Sequence, residues 1–276
     1  LVKKVIDTIS FHHSKPDSFI ADIQKLIPSL TDFITQKKLL DLDPAKPLIV
    51  REMPAYAVGF SGMNMDAPGP YDPARSAYYN VAPLIGKPAA QTESWLREYN
   101  TYIIQLLSIH EALPGHYVQL LYNNKSPDIV KSIFGDGATV EGWAVYCEQM
   151  MMEEGYGDQS PELWLMFYKW HLRAVMNTML DYQAHCLNMS KEDAINLMVN
   201  EGFQTQAEAE GKWRRMTLSQ VQLCSYFTGY SEIYALRDEL KKKEGDQFNL
   251  KQFHEQFLSY GSAPVKYIRE LMIEKK

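Results

Sequence analysis

The most informative segment of the sequence runs from Ser108 to Gln119 and reads Ser-Ile-His-Glu-Ala-Leu-Pro-Gly-His-Tyr-Val-Gln. It places two histidines and a glutamate in an otherwise apolar helical segment, which is the residue set of a zinc site with its general base. In the common HExxH arrangement the histidines are four residues apart and lie one above the other on a helix. His110 and His116 are six residues apart, a rotation of about 600°, so a straight helix cannot direct both rings at one ion.

The two residues before His116 indicate how this mismatch is resolved. Pro114 has no N–H to donate to the carbonyl of His110, and Gly115 accepts backbone angles that other residues avoid. We therefore predict a bulge or a break of the helix between the histidines. The alternative is that Pro-Gly simply ends one helix and starts another, which leaves two unrelated histidines.

A third ligand is expected downstream. Glu141 lies 25 residues after His116 and opens the segment Glu-Gly-Trp-Ala-Val-Tyr-Cys-Glu. Zinc sites with a glutamate ligand take it from a second helix and leave the fourth position open to water. Glu148 is a rival, because it lies seven residues further on and shares a helical face with Glu141. We predict Glu141 as the ligand, and Glu148 as either the alternative ligand or the residue that orients a ligand histidine.

These two segments resemble the motifs of a bacterial family, the domain of unknown function 885, whose pattern is close to HEAxPGHxxQ followed by EGWAxYxE. The resemblance continues through Asp181-Tyr182-Gln183-Ala184-His185, Gln222-Leu223-Cys224-Ser225-Tyr226-Phe227-Thr228-Gly229 and Phe253-His254-Glu255-Gln256-Phe257-Leu258-Ser259-Tyr260-Gly261. Gln220 departs from it where the family usually has proline. The resemblance implies a helical, gluzincin-like zinc metallopeptidase. Family members are usually much longer, so we expect this chain to be a C-terminal half whose missing N-terminal half closes the cleft.

Composition agrees with a globular protein and excludes other classes. The chain has 276 residues, of which 46% are hydrophobic, and can bury a large core. Its net charge of −6 offers no basic surface for nucleic acid, and no apolar run approaches the roughly 20 residues of a transmembrane helix. The three cysteines have no metal-finger spacing and are predicted to be buried thiols.

Localisation stays open at this point. A signal on the expected N-terminal half would place the protein in the periplasm or anchor it to a membrane, and without one it would be cytoplasmic.

The predicted fold is mainly α, a zincin-like helical domain with a small β-sheet or hairpin near residues 47–86. The whole of 1–276 is expected to form a single catalytic portion, made of packing helices in 1–45, a small β region in 46–90 and a helical metal-site region in 91–276. Strands are predicted at 48–50 and 77–81. Helices are predicted at about 140–154, 161–188, 191–201, 205–240 and 250–258.

The strand that ends at Val81 is predicted to lie at the edge of the sheet. In zincins a strand beside the metal helix commonly pairs with an extended peptide, which makes Tyr78, Tyr79 and Asn80 candidate substrate-binding residues. The alternative is a purely structural hairpin. Arg237 is a further candidate, which would clamp a substrate carboxylate unless it only complements a helix dipole.

Two residues outside the zinc motifs are candidates for stabilising an oxyanion. Tyr226 shares a helical face with Gln222, and its hydroxyl would donate a hydrogen bond to the developing negative charge. His185 is the competing donor, and Asp181, four residues before it, would hold its ring in one tautomer. The alternative for this pair is a structural contact.

Together these features predict a zinc-dependent metallopeptidase with one Zn²⁺ per chain, held by His110, His116 and Glu141. Glu111 would act as general base, taking a proton from a metal-activated water and delivering it to the leaving amine. The metal and the base follow from residue chemistry, whereas a peptide substrate is implied by the family resemblance. The alternatives are an inactive peptide-binding protein and a metal-dependent hydrolase of a non-peptide amide or ester.

Overall fold

The computed structural model describes residues 1–43, 47–58, 61–72, 74–84, 86–126 and 129–274. These residues are mainly helical and include one three-stranded sheet, which confirms the predicted fold class. Parts of the predicted packing-helix and β regions, at 44–46, 59–60, 73 and 85, lie outside the described residues.

Two helices precede the sheet, α1 (Val2–Ile9) and α2 (Phe19–Lys37). Helix α2 buries four apolar residues on one face: Phe19, Ile23, Leu30 and Ile34. The spacing of these residues gives a helix one continuous apolar stripe, which explains why the segment folds as an amphipathic helix against the core. The side chain of Gln24 donates to the backbone oxygen of Val50 and so ties α2 to the sheet.

The sheet consists of β1 (Leu48–Glu52), β2 (Met63–Asp66) and β3 (Ala77–Val81), in the order β1-β3-β2. Strand β1 is parallel to β3, and β2 is antiparallel to it. Strand β3 is therefore the central strand, so the prediction that it forms the edge is wrong. The physical reason is that both of its sides are already hydrogen-bonded, to β1 and to β2.

The three side chains proposed to bind substrate on β3 have contacts within the sheet. Tyr79 is fully buried and its hydroxyl points to the sulfur of Met63. The amide of Asn80 donates to Asn64, and the guanidinium of Arg51 lies 3.5 Å from the centre of the Tyr78 ring.

The sheet is followed by α3 (Ala89–Glu98), α4 (Thr101–Glu111), α5 (His116–Asn124), α6 (Ile129–Ile133) and α7 (Gly137–Glu153). The metal-site motifs lie on α4, α5 and α7. Helix α4 begins at a strong cap, because the side chain of Asn100 accepts the backbone N–H groups of Tyr102 and Ile103. Helix α7 begins in the same way, with the Asp136 carboxylate accepting from Thr139.

The remaining helices are α8 (Pro161–Cys186), α9 (Lys191–Asn196), α10 (Gln206–Leu218), α11 (Cys224–Glu244), α12 (Leu250–Ser259) and α13 (Val265–Glu274). The prediction of one helix over 205–240 is wrong, because the segment 219–223 separates α10 from α11. Val221 has a φ of 71° there, in the left-handed region that a β-branched residue avoids and that ends a right-handed helix.

Helices α7 and α11 approach closely through two glycines. A Cβ added to Gly142 would lie 2.5 Å from the Cα of Gly229, which is closer than real side-chain carbons come. This close packing places Glu141, next to the first glycine, opposite Tyr226, which lies one turn before the second.

Two further predictions concern the burial of the cysteines and the absence of a transmembrane helix. Cys147 is buried as predicted, whereas Cys186 is exposed at the end of α8 and Cys224 is partly exposed, so the prediction of three buried thiols is wrong for the last two. In the part of the chain that the structure describes, no helix has both the length and the apolar character needed to span a bilayer.

Candidate metal centre

The predicted break between the two histidines is confirmed. Helix α4 ends at Glu111 and α5 begins at His116, and the N–H of Gly115 donates to the carbonyl of Ile109 at 3.0 Å. A Cβ on Gly115 would lie 2.5 Å from the carbonyl carbon of His110 and closer still to its oxygen. Only glycine therefore lets the chain fold back tightly enough to start α5 beside the end of α4.

Two hydrogen bonds join helix α7 to this turn and to the start of α5. The indole N–H of Trp143 donates to the carbonyl oxygen of Pro114 at 3.0 Å, and the amide of Gln119 donates to the backbone oxygen of Thr139 at 3.1 Å. Trp143 is fully buried, so this hydrogen bond is shielded from water. The turn that carries the histidines is thus fixed by the helix that carries Glu141.

Three predicted ligands converge. The Nε2 atoms of His110 and His116 lie 3.6 Å and 3.5 Å from the same oxygen, Oε2 of Glu141. One potential ligand atom from each residue lies within 4.8 Å of the other two, and no other such group of His, Cys, Asp or Glu occurs among the described residues. Contact with the two histidines outweighs the effect of burial and holds the pKa of Glu141 well below its usual value.

Glu148 lies behind His110 rather than in the ligand group. Its Oε1 is 2.6 Å from Nδ1 of His110, and the carboxylate is buried. Such a contact keeps the proton on Nδ1 and leaves Nε2 free for a metal ion. Burial alone would lower the pKa of His110, but contact with Glu141 and Glu148 raises it well above its usual value.

This donor set fits zinc. Two imidazole nitrogens and one carboxylate oxygen, with a buried carboxylate behind one imidazole, are the ligands of catalytic zinc sites that keep one position open. The open side faces a cavity of about 320 Å³. Its lining consists of Ser61, Met63, Asn64, Met65, His110, Glu111, His116, Leu120, Val140, Glu141 and Tyr226.

Glu111, the predicted base, lies in the wall of this cavity. Burial raises the pKa of its carboxyl, while the two neighbouring histidines and a backbone hydrogen bond from Met65 oppose that shift. Met65 belongs to β2, so the outer strand of the sheet lies directly against the base.

Tyr226 also faces the cavity, and its ring stacks on that of His110 with the centres 6.4 Å apart. The amide nitrogen of Gln222 lies 3.0 Å from the Tyr226 hydroxyl and 3.4 Å from Oε1 of Glu141. The sequence predicts Gln222 on the face of Tyr226 without a role, and neither β2 nor the apolar wall formed by Leu120 and Val140 was predicted. The four-residue spacing of Gln222 and Tyr226 was the available signal, although Gln222 lies just before the start of α11.

Two predicted residues do not reach the cavity. His185 lies 3.2 Å from the carbonyl oxygen of Met216 and 3.7 Å from Asp181, which matches the structural alternative rather than an oxyanion donor. Arg237 donates to Glu153 at 2.8 Å and stacks over Tyr234, so its guanidinium is already paired. Neither residue lines the cavity, and neither prediction of a role in the site is supported by this geometry.

The fold and the site define a mainly helical protein with a candidate zinc centre. The chain belongs to the family described as bacterial proteins of unknown function (DUF885), whose sequence pattern matches residues 2–272. This confirms the family resemblance. It does not address the predicted peptidase activity or the predicted C-terminal position, which stay predictions.

Two solved structures are similar to this chain. A proposed lipoprotein of unknown function from Shewanella oneidensis is 57% identical with a TM-score of 0.90, over 98% of this chain and 48% of the other. A proposed lipoprotein from Colwellia psychrerythraea is 22% identical with a TM-score of 0.81, over 94% of this chain and 43% of the other, and shows the fold alone. This chain thus spans about half the length of either structure. No curated protein matches it.

Proposed function

We propose that this protein is a zinc-dependent peptidase in which His110, His116 and Glu141 hold one zinc ion and Glu111 is the general base. One observation carries the proposal. The two histidine Nε2 atoms face a single oxygen of Glu141 from the two sides of a broken helix, next to a cavity that Glu111 lines. The break in the helix at Gly115 fits a metal centre, because a straight helix cannot direct two histidine rings six residues apart at one ion.

Zinc would polarise the scissile carbonyl and bring the pKa of a water molecule to about 7. Glu111 would take the proton from the attacking water and pass it to the leaving nitrogen. Its burial supports this role, because the raised pKa makes the carboxylate a stronger base than an exposed glutamate.

Tyr226 is the residue best placed to stabilise the oxyanion. Its hydroxyl and Oε1 of Glu141 both contact the Gln222 amide, its ring stacks on His110, and it lines the cavity. The phenol proton could therefore be donated to an oxygen that develops charge in the cavity. Burial raises the pKa of this phenol, which keeps it protonated and able to donate.

The free edge of strand β2 is the observation that favours a peptide as the substrate. Strand β2, and not β3 as predicted, would be the strand that pairs with it. The N–H of Ala82 donates to Gly62, so the backbone groups of Asn64 and Asp66 face β3 and those of Met63 and Met65 face away from it. In the described part of the chain β2 has no other strand neighbour. An extended peptide would pair with the outward backbone groups of Met63 and with the carbonyl of Met65, whose N–H faces Glu111, and would lie across the cavity beside Glu111.

The proposal is tested by offering a peptide mixture to the zinc-loaded protein and to its Glu111→Gln variant, with cleavage followed by mass spectrometry. We expect cleavage by the wild type and a rate lower by about 10²–10⁴-fold in the variant, which should keep its zinc. Zinc binding without cleavage would support a peptide-binding protein instead. Cleavage confined to chromogenic esters or small amides in a parallel assay would refute the peptide assignment.

A further inference from the structure

The segment between α10 and α11 is held in an unfavourable conformation by a buried carboxylate. Val221 has a φ of 71°, a backbone conformation that a β-branched residue rarely adopts. Asp181, on α8, accepts the N–H of Val221 with one oxygen, at 3.1 Å, and the N–H of Leu223 with the other, at 3.0 Å. Asp181 is buried, so these two hydrogen bonds fix the segment firmly.

The residue between these two anchors is Gln222, whose amide reaches the candidate metal centre. Its nitrogen lies 3.4 Å from Oε1 of Glu141 and 3.0 Å from the hydroxyl oxygen of Tyr226. The orientation of this amide follows from chemistry, because an ionised carboxylate only accepts hydrogen bonds and must therefore face the NH₂ group. Gln222 thus donates to both neighbours.

This double donation has a consequence for each neighbour. For Glu141, it occupies Oε1 and leaves Oε2 facing the two histidines. For Tyr226, it makes the hydroxyl oxygen an acceptor, so the phenol proton is not used by Gln222 and is free to point into the cavity. The same amide therefore sets the metal-facing oxygen of a ligand and the donor role of the oxyanion-stabilising residue.

We infer that Gln222 is a positioning residue of the proposed zinc peptidase, acting through Glu141 and Tyr226, and that Asp181 holds the segment that presents it. This inference rests on the proposed function. In this role Asp181 acts through the backbone N–H groups of Val221 and Leu223 and not through His185.

The test compares Gln222→Leu with Gln206→Leu. Gln206 is a matched control because its amide also donates to a glutamate, Glu210, but on the exposed surface of α10. Zinc affinity is measured by competition with a chromophoric chelator, peptide hydrolysis gives kcat and KM, and the melting temperature of the zinc-free protein reports on folding. We expect Gln222→Leu to bind zinc about 10–100-fold more weakly and to lose kcat with little change in KM, while Gln206→Leu behaves as wild type.

A double mutant separates positioning from general damage. In a Tyr226→Phe background and at saturating zinc, Gln222→Leu should cause a smaller loss of kcat than it does alone, because one of the two groups through which it acts is absent, and it should still weaken zinc binding through Glu141. Asp181→Asn, which leaves one acceptor oxygen for two N–H groups, should shift both readouts in the same direction as Gln222→Leu.

Gln222→Leu with wild-type zinc affinity and wild-type kcat would overturn this inference and leave the proposed function standing. A kcat loss that is equal in the presence and absence of the Tyr226 hydroxyl would also overturn it. Wild-type protein that neither binds zinc nor cleaves peptides would contradict the proposed function and this inference together.

Discussion

Substituting alanine for Gly115 adds a single methyl group, and we expect this small change to disrupt the proposed site. In Gly115→Ala, the new Cβ would meet the carbonyl carbon of His110 at 2.5 Å, whereas carbons in contact need about 3.5 Å. Because the carbonyl oxygen of His110 would be closer still, the end of α4 and the start of α5 must separate by at least about 1 Å. Zinc–ligand distances tolerate only about 0.2 Å, so His110 and His116 could no longer serve one ion together.

We expect Gly115→Ala to weaken zinc binding by at least about 100-fold, or about 2.8 kcal/mol at 25 °C. The overpacked turn should also lower the free energy of unfolding by about 1–3 kcal/mol. Chelator competition measures the first effect and urea unfolding of the zinc-free protein measures the second.

Gly211→Ala provides the control for this substitution. Gly211 lies inside α10, and a Cβ there would meet nothing within 4 Å. This variant should keep its zinc affinity and gain about 0.5–1 kcal/mol of stability, because alanine suits a helix interior better than glycine. A folded Gly115→Ala protein with wild-type zinc affinity would refute the argument that the turn brings the two histidines together.

Two further predictions concern buried groups near the site and in the core. Glu148→Gln removes the charge beside Nδ1 of His110 and should weaken zinc binding by about 10–100-fold in the same titration; an unchanged affinity would show that Glu148 does not orient the ligand. Burial lowers the pKa of His254 to about 4, although its hydrogen bond to the carbonyl of Leu39 opposes that shift. Since this lies below the ordinary value of about 6.5, the unfolded chain binds more protons between these two pKa values, and the free energy of unfolding should fall by about 3 kcal/mol as the pH drops from about 6.5 to about 4. His254→Gln should lose this part of the pH dependence in urea unfolding, and equal slopes in the two proteins would contradict it.

The parts of the site that were predictable from sequence are those set by local chemistry. Pro114 and Gly115 interrupt the helix through their own backbone properties, so the break between the histidines could be predicted without knowledge of the rest of the chain. The choice between Glu141 and Glu148 could not be made in this way, because both share a face of α7. Only the packing of α7 against the turn decides that Glu141 faces both histidines and that Glu148 lies behind His110.

The errors arose where distant segments determine the local structure. The segment Met63–Asp66 has no β-branched residue and gives no strand signal, yet it pairs with β3 and displaces it from the edge. Helices α10 and α11 are separate because Asp181, far back in the chain, accepts N–H groups at Val221 and Leu223. Neither contact leaves a periodic pattern in the sequence.

The proposed zinc centre is tested most directly by elemental analysis of purified protein that was stripped with a chelator, reconstituted with zinc and freed of excess metal. The wild type, His110→Ala and Glu141→Ala are compared at equal concentration. We predict close to one zinc per chain in the wild type and loss of zinc in both variants. A wild type that holds no zinc after reconstitution, or zinc that is retained in both variants, would contradict the proposed site.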